Sequence, residues 1–241
     1  MTGLLLACAV FFGAVTQRLT GIGFALVASP LFVLLLGPLQ GVVITNVFGV
    51  VTAASIYVFH IRGVEYRKVL PLLGAVAIAV IPGALLAKTL PAASLAILAG
   101  SLVLFALAVS VVARRLRGID SWQGLVAGGL LSGFMNVLAG VGGPAVTAYA
   151  VASRWEHRRF AVSVQFYFAV LGMLSLLGRG IPPTLTAVEW ILTIVALAAG
   201  MLCGVLLTRV VPVRIARAAC VCVAALGGAT VIVRGVLELW A

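Results

Sequence analysis

The chain has 241 residues, 64% of them hydrophobic and 9% charged, with a formal charge of +11. Such a composition excludes a water-soluble globular domain, because there is too little polar side chain to cover a folded surface. A nucleic-acid partner, which the charge alone would suggest, is excluded by where the 16 Lys and Arg sit: mainly in short gaps between apolar runs, the pattern that orients helices in a membrane.

In chain order the apolar segments run from about 3 to 19, 24 to 36, 39 to 60, 68 to 89, 93 to 113, 122 to 139, 143 to 153, 160 to 178, 187 to 208 and 213 to 237. A helix needs roughly 20 apolar residues to cross the hydrocarbon core. The segments at 24 to 36 and 143 to 153 fall short of this, and each joins its predecessor through a glycine turn. Those two pairs are predicted to be helical hairpins, either re-entrant or fully spanning. The first run, from Gly3, has no basic stretch before it and no small-residue cleavage site, so it is expected to be retained.

The chain also matches itself at an offset of 119 residues, which lays Gly21-Ile22-Gly23 over Gly140-Val141-Gly142, Gln17 over Asn136 and Asn46 over Gln165. With a small gap, Gly83-x-x-x-Ala87 falls on Gly200-x-x-x-Gly204 and Pro91 on Pro212. Ordered matches of polar residues inside apolar helices point to duplication. The expected fold is an all-α integral membrane protein of two repeats, 1-118 and 119-241, each a glycine-turn hairpin followed by three transmembrane helices.

Basic clusters at Arg62, Arg67 and Lys68, at Arg114, Arg115 and Arg117, at Arg154, Arg158 and Arg159, and at Arg209, Arg214 and Arg217 alternate with gaps that hold Lys88 or Arg179 alone. Mapped onto the repeat, rich loops fall on poor ones, so the second half is expected to be inverted, with both termini away from the cytoplasm. Inverted repeats with interrupted helices meeting near the midplane point to a secondary transporter whose substrate sits at the two glycine turns.

The stretches GIGFALVASPLFVLLLGP and GLVAGGLLSGFMNVLAGVGGPAVTAY, with PGALLAKTLP more weakly, resemble the sulfite exporter TauE/SafE family over essentially the whole chain. The resemblance implies a multi-pass protein of the cell (inner) membrane that moves small anions, among them sulfur oxyanions and organosulfonates such as sulfite, sulfoacetate and taurine-related compounds. Phe24 follows Gly23, and Pro144 follows Gly142-Gly143, where the family's glycine run usually continues.

The candidate substrate-binding residues are Gln17, Arg18, Gly21, Gly23, Asn46, Asn136, Gly140, Gly142, Gly143 and Gln165. The glycines can leave turn N–H groups facing an anion at a helix N-terminus, or can serve only tight turns and close packing. Asn136 ends a row Gly124, Gly128, Ser132 at four-residue spacing, as Gln17 ends Ala9 and Gly13, so each amide is set at the end of a small-residue face, to bind an oxyanion or to tie helices together. Thr20, Ser29 and Ser163 are further donor candidates. Arg18 would supply a fork for two oxyanion atoms if the first hairpin turns back within the bilayer, or would be an ordinary flanking charge if residues 3 to 17 cross it.

All five acidic residues lie in gaps or at segment ends, and His60 and His157 lie beside basic gaps, so no proton-carrying group stands inside a span. Export of an anion down an inside-negative potential needs none. The same absence, and the lack of a G-x-S-x-G motif, argue against an enzyme. Cys8, Cys203, Cys220 and Cys222 are expected to be packing residues; no metal and no cofactor are expected. The expected partners are a small anion and the lipid bilayer, with a homodimer left open; the competing reading is a membrane scaffold or assembly factor without transport.

Overall fold

The computed structural model describes residues 2–21, 23–112, 121–180 and 184–240, and among these the regular structure is helical throughout. The basic cluster at 114 to 117, with Asp120 and Ile22, lies outside the described residues. The helices are α1 (Thr2–Thr20), α2 (Gly23–Val58), α3 (Tyr66–Thr89), α4 (Ala92–Val112) and α5 (Trp122–Ala139). They continue as α6 (Gly143–Ala152), α7 (His157–Arg179), α8 (Ala187–Leu207) and α9 (Val213–Trp240), with a 3-10 turn at Ile61–Gly63. All but the short α6 are long and apolar enough to cross a membrane.

The 36 residues of α2 are two helices hinged at Gly37, whose φ of 79° and ψ of 168° leave the helical region. Pro38 follows, and a proline both disfavours helix in the residue before it and suits the first turn of a new helix. The predicted break between 36 and 39 is therefore real, and the short first piece pairs with α1 as the short α6 pairs with α5.

Packing interleaves the two halves. α1 lies against α8 and α2, α5 against α3, α2 against α7, and α4 against α9. Close approach of backbones explains much of the glycine content. A Cβ on Gly200 would stand 2.6 Å from the Phe11 carbonyl oxygen, one on Gly100 2.6 Å from that of Gly228, and one on Gly133 3.0 Å from the Cα of Val76. Between helices in lipid, where apolar burial offers little net drive, such van der Waals contact is a main source of association. The apolar side chains that remain outward, among them Ile78, Ile81, Ile191, Val195 and Leu202, form the surface the bilayer covers.

At one end of the bundle Glu65 bonds Arg159 at 3.0 Å and Lys68 at 3.4 Å, joining the start of α3 to the start of α7. Partial burial pushes its carboxyl up, yet the two cations outweigh this and hold it below the usual carboxylate range. The four cysteines are free thiols, Cys220 buried and Cys222 exposed, as opposite faces of α9 require.

Candidate functional site

Two helix ends of the same construction meet inside the bundle. α1 ends at Gly21, whose φ is +80° and whose N–H bonds the Gln17 carbonyl at 2.7 Å. α5 ends at Gly140, whose φ is +72° and whose N–H bonds the Asn136 carbonyl, also at 2.7 Å. A left-handed residue at this position terminates a helix and turns the chain back, and only glycine adopts it without strain. The side chains at the turns then reach forward: Gln17 Oε1 accepts from the Phe24 N–H at 3.1 Å, and Asn136 Oδ1 accepts from the Gly142 N–H at 3.3 Å. Each amide thus caps the helix that follows its own turn.

The same amides pair across the interface of the two halves. Gln17 Nε2 donates to Gln165 Oε1 at 3.2 Å, and Asn136 Nδ2 donates to Asn46 Oδ1 at 2.7 Å and to Ser175 Oγ at 2.8 Å. Gln165 Nε2 returns to the Gly21 carbonyl at 3.1 Å, and Asn46 Nδ2 bonds the Val42 carbonyl at 2.9 Å. All four amides are buried. Further hydroxyl bonds brace the turns: Ser29 Oγ donates to the Ala139 carbonyl, and Ser132 Oγ to the Gly142 carbonyl at 2.7 Å.

Among these amides lies a cavity of about 40 Å³, whose lining includes Gln17, Asn46, Asn136, Gly140, Gly142 and Gly143. Among the described residues no charged side chain lines it. A primary amide carries two N–H bonds. Asn136 and Gln165 each spend theirs on two protein acceptors, whereas Gln17 and Asn46 each spend one among the described residues, leaving a donor over on two residues of the cavity wall. The N-terminus of α6 opens at the same place through Gly142 and Gly143, and that of α2 through Phe24 and Ala25. Helix N-termini carry partial positive charge, so the cavity presents donors and, among the described residues, no carboxylate or imidazole.

Of the sequence-predicted residues, Gly21 and Gln165 stand in the network behind the lining, and Gly23 packs against the end of α1. Gly23 has no room for a side chain, since a Cβ there would fall 2.7 Å from Thr20 Oγ1. Arg18 is set apart. One residue on from Gln17, it faces α8, where its Cβ would press within 2.7 Å of a Cβ on Gly204, and its buried Nε has no hydrogen-bond partner among the described residues. Thr20 Oγ1 bonds its own backbone at the Thr16 carbonyl, and Ser163 accepts from the Glu65 N–H at 2.9 Å, away from the cavity.

The sequence reading placed Arg179 in a gap, and the structure places it in the last turn of α7, 1% exposed. Its Nε donates to the Val137 carbonyl at 2.8 Å, Nη1 to the Leu39 carbonyl at 3.0 Å and Nη2 to the Leu138 carbonyl at 3.5 Å. It thereby caps the carbonyl end of α5, where the helix dipole is negative, and holds that end to the second half of α2. Ser175, one turn earlier on the same face of α7, bonds Asn136, so the guanidinium stands about one helical turn from the cavity amide. The one hint in the sequence was a lone cation between an unbroken apolar run and a glycine.

A search of curated proteins and a search of solved structures each found no match. A family description, "Sulfite exporter TauE/SafE", matches residues 5–231, nearly the full chain. With its long apolar helices, the chain is a multi-pass membrane protein and belongs to the sulfite exporter TauE/SafE family, a family of transporters of sulfur compounds.

Proposed function

We propose that the protein exports a small sulfur-containing anion and binds it in the cavity between the two glycine turns. The observation that carries this reading is that Gln17 and Asn46, which line the cavity, each have an amide N–H left unspent among the described residues, where no charged side chain joins the lining. Neutral donors at helix N-termini stabilise an anion through fixed dipoles. Arg179, buried about one helical turn from the cavity amide Asn136 with carbonyls for partners, adds positive potential. Gln17, Gly21, Gly23, Asn46, Asn136, Gly140, Gly142, Gly143 and Gln165 make up the proposed site; Arg18 lies outside it.

Size favours a compact substrate. One water needs about 10–15 Å³ by the same measure, so the cavity holds about three waters' worth of volume. Sulfite matches that scale, and sulfoacetate or a taurine-like sulfonate would require the helices to part.

The inverted-repeat reading has support in the packing, because α1 on α8 mirrors α5 on α3, and Gln17–Gln165 mirrors Asn136–Asn46 at the repeat offset. Alternating access would then be a rocking of the halves about the shared amides. The driving force we propose is the membrane potential, which favours anion exit by about 2.3 kcal/mol per charge per 100 mV.

The test is flux in liposomes holding the purified protein, with labelled sulfite, sulfoacetate and taurine and an imposed potassium-diffusion potential. Sulfite release that rises with inside-negative potential is expected. Flux of none of the three would leave a membrane scaffold as the better reading, and flux indifferent to potential would demand a coupling ion.

A further inference from the structure

A second concavity, about 710 Å³ in volume, opens between the end of α2 with its 3-10 turn and the first turns of α7. Arg62, Glu156, Arg158 and Arg159 line it, and the charges do not cancel. Arg159 bonds Glu65 at 3.0 Å and Glu156 at 2.8 Å, which engages both nearby carboxylates. Arg62 and Arg158 are exposed and have no hydrogen bond or ion pair among the described residues. The same wall carries uncovered apolar side chains: Phe59 is 79% exposed, Val58 61% and Ile61 46%.

We propose that this cleft binds a phosphate group, with Arg62 and Arg158 taking its oxygens, and that the phosphate is the headgroup of an anionic membrane lipid. Guanidinium forks match phosphate oxygens, and two unpaired ones in one cleft leave a net positive charge for the ligand to neutralise. The lipid is favoured as the source because Val58 and Phe59 stand at the end of a membrane helix. Aromatic and aliphatic groups at that level lie among glycerol and acyl chains, and basic pockets at helix ends hold anionic headgroups. A free phosphoester would fill the charged half of the cleft and leave Phe59 in water. The volume falls in the range of small-molecule sites, roughly 300–1,000 Å³. Nothing in this inference depends on transport at the central cavity.

The test uses the full chain in nanodiscs of phosphatidylcholine alone or mixed with phosphatidylglycerol, with lipid retention read by native mass spectrometry. The double variant R62Q/R158Q should weaken phosphatidylglycerol retention on the order of tenfold. R62K/R158K, which keeps the charges without the forks, should fall between it and the native chain. R209Q/R214Q removes two exposed cations elsewhere and should change little. Equal losses in R62Q/R158Q and R209Q/R214Q would overturn the proposal in favour of diffuse surface attraction. Equal retention of phosphatidylcholine by the native chain would overturn it too. Displacement of the lipid by soluble glycerol 3-phosphate would overturn the lipid source and leave a free phosphoester as the occupant. Melting temperature recorded for each variant ensures that a loss is read only from folded protein.

Discussion

Gln17 donates to Gln165 across the middle of the bundle, Nε2 to Oε1 at 3.2 Å, and joins the end of α1 to the middle of α7. Asn136 and Asn46, which take the corresponding places at the repeat offset, make the same link between α5 and α2 at 2.7 Å. Each link also sets the glycine turn beside it, because the same amide receives the N–H of the next helix. A change at one amide therefore reaches both a helix interface and the cavity wall.

Replacing Asn46 or Gln165 by leucine should lower sulfite flux at least about tenfold while the protein still inserts in the membrane. The stranded partner amide costs about 1–3 kcal/mol, a loss that a bundle of this size can survive. Flux normalised to folded protein, measured by size-exclusion chromatography, checks this. Native flux in both variants would assign the amides to packing alone.

Arg179→Met should lower stability by about 1.5–3 kcal/mol, because charge-assisted bonds to the carbonyls of Val137, Leu138 and Leu39 are lost together. Arg179→Lys should recover only part, since one ammonium cannot span acceptors on two helices in the way a fork does. Thermal unfolding in detergent reads both, and a weaker apparent affinity for sulfite in Arg179→Met than in Arg179→Lys would show its charge acting at the cavity. An unchanged melting temperature in Arg179→Met would remove its role as a clamp.

At Gly142 an added Cβ would lie 2.7 Å from the Ser132 carbonyl oxygen, a backbone atom of α5 that cannot swing aside. Gly142→Ala should therefore displace α6, abolish flux and destabilise by about 1–3 kcal/mol. Gly74→Ala is the matched control, because nothing lies within 4 Å of a Cβ there. Its helix should hold or gain stability. Equal flux in the two variants would mean that the α5–α6 turn tolerates movement and does not shape the site.

Arg18 faces α8 and its Nε has no partner among the described residues. Arg18→Gln should therefore keep sulfite flux and alter stability by no more than about 0.5 kcal/mol. Loss of flux without loss of folded protein would bring Arg18 into the transport path, through a conformation in which α1 turns relative to α8.

The basic loops at 62 to 68 and 154 to 159 are expected to face the cytoplasm and both termini to face away from it. In a variant without native cysteines, an impermeant thiol reagent applied to intact cells should label Trp240→Cys and spare Glu65→Cys. The opposite pattern would reverse the orientation of the whole chain.

The sequence by itself determined the helices and their breaks, because these depend on local properties. A membrane helix must satisfy its own backbone, so the apolar runs had to become helices, and Gly21, Gly37-Pro38 and Gly140 had to interrupt them. The amides Gln17, Asn46, Asn136 and Gln165 stood out because polar groups are costly in an apolar run. Only the tertiary structure decided which neighbours they met. Gln17 and Arg18 are adjacent in the chain, yet a helix turns about 100° per residue, and the packing of α1 between α2 and α8 sends the amide to the cavity and the guanidinium to Gly204. Arg179 read as a loop cation because its burial depends on three carbonyls, two from α5 and one from α2, roughly 40 and 140 residues earlier in the chain, and no local pattern encodes that meeting.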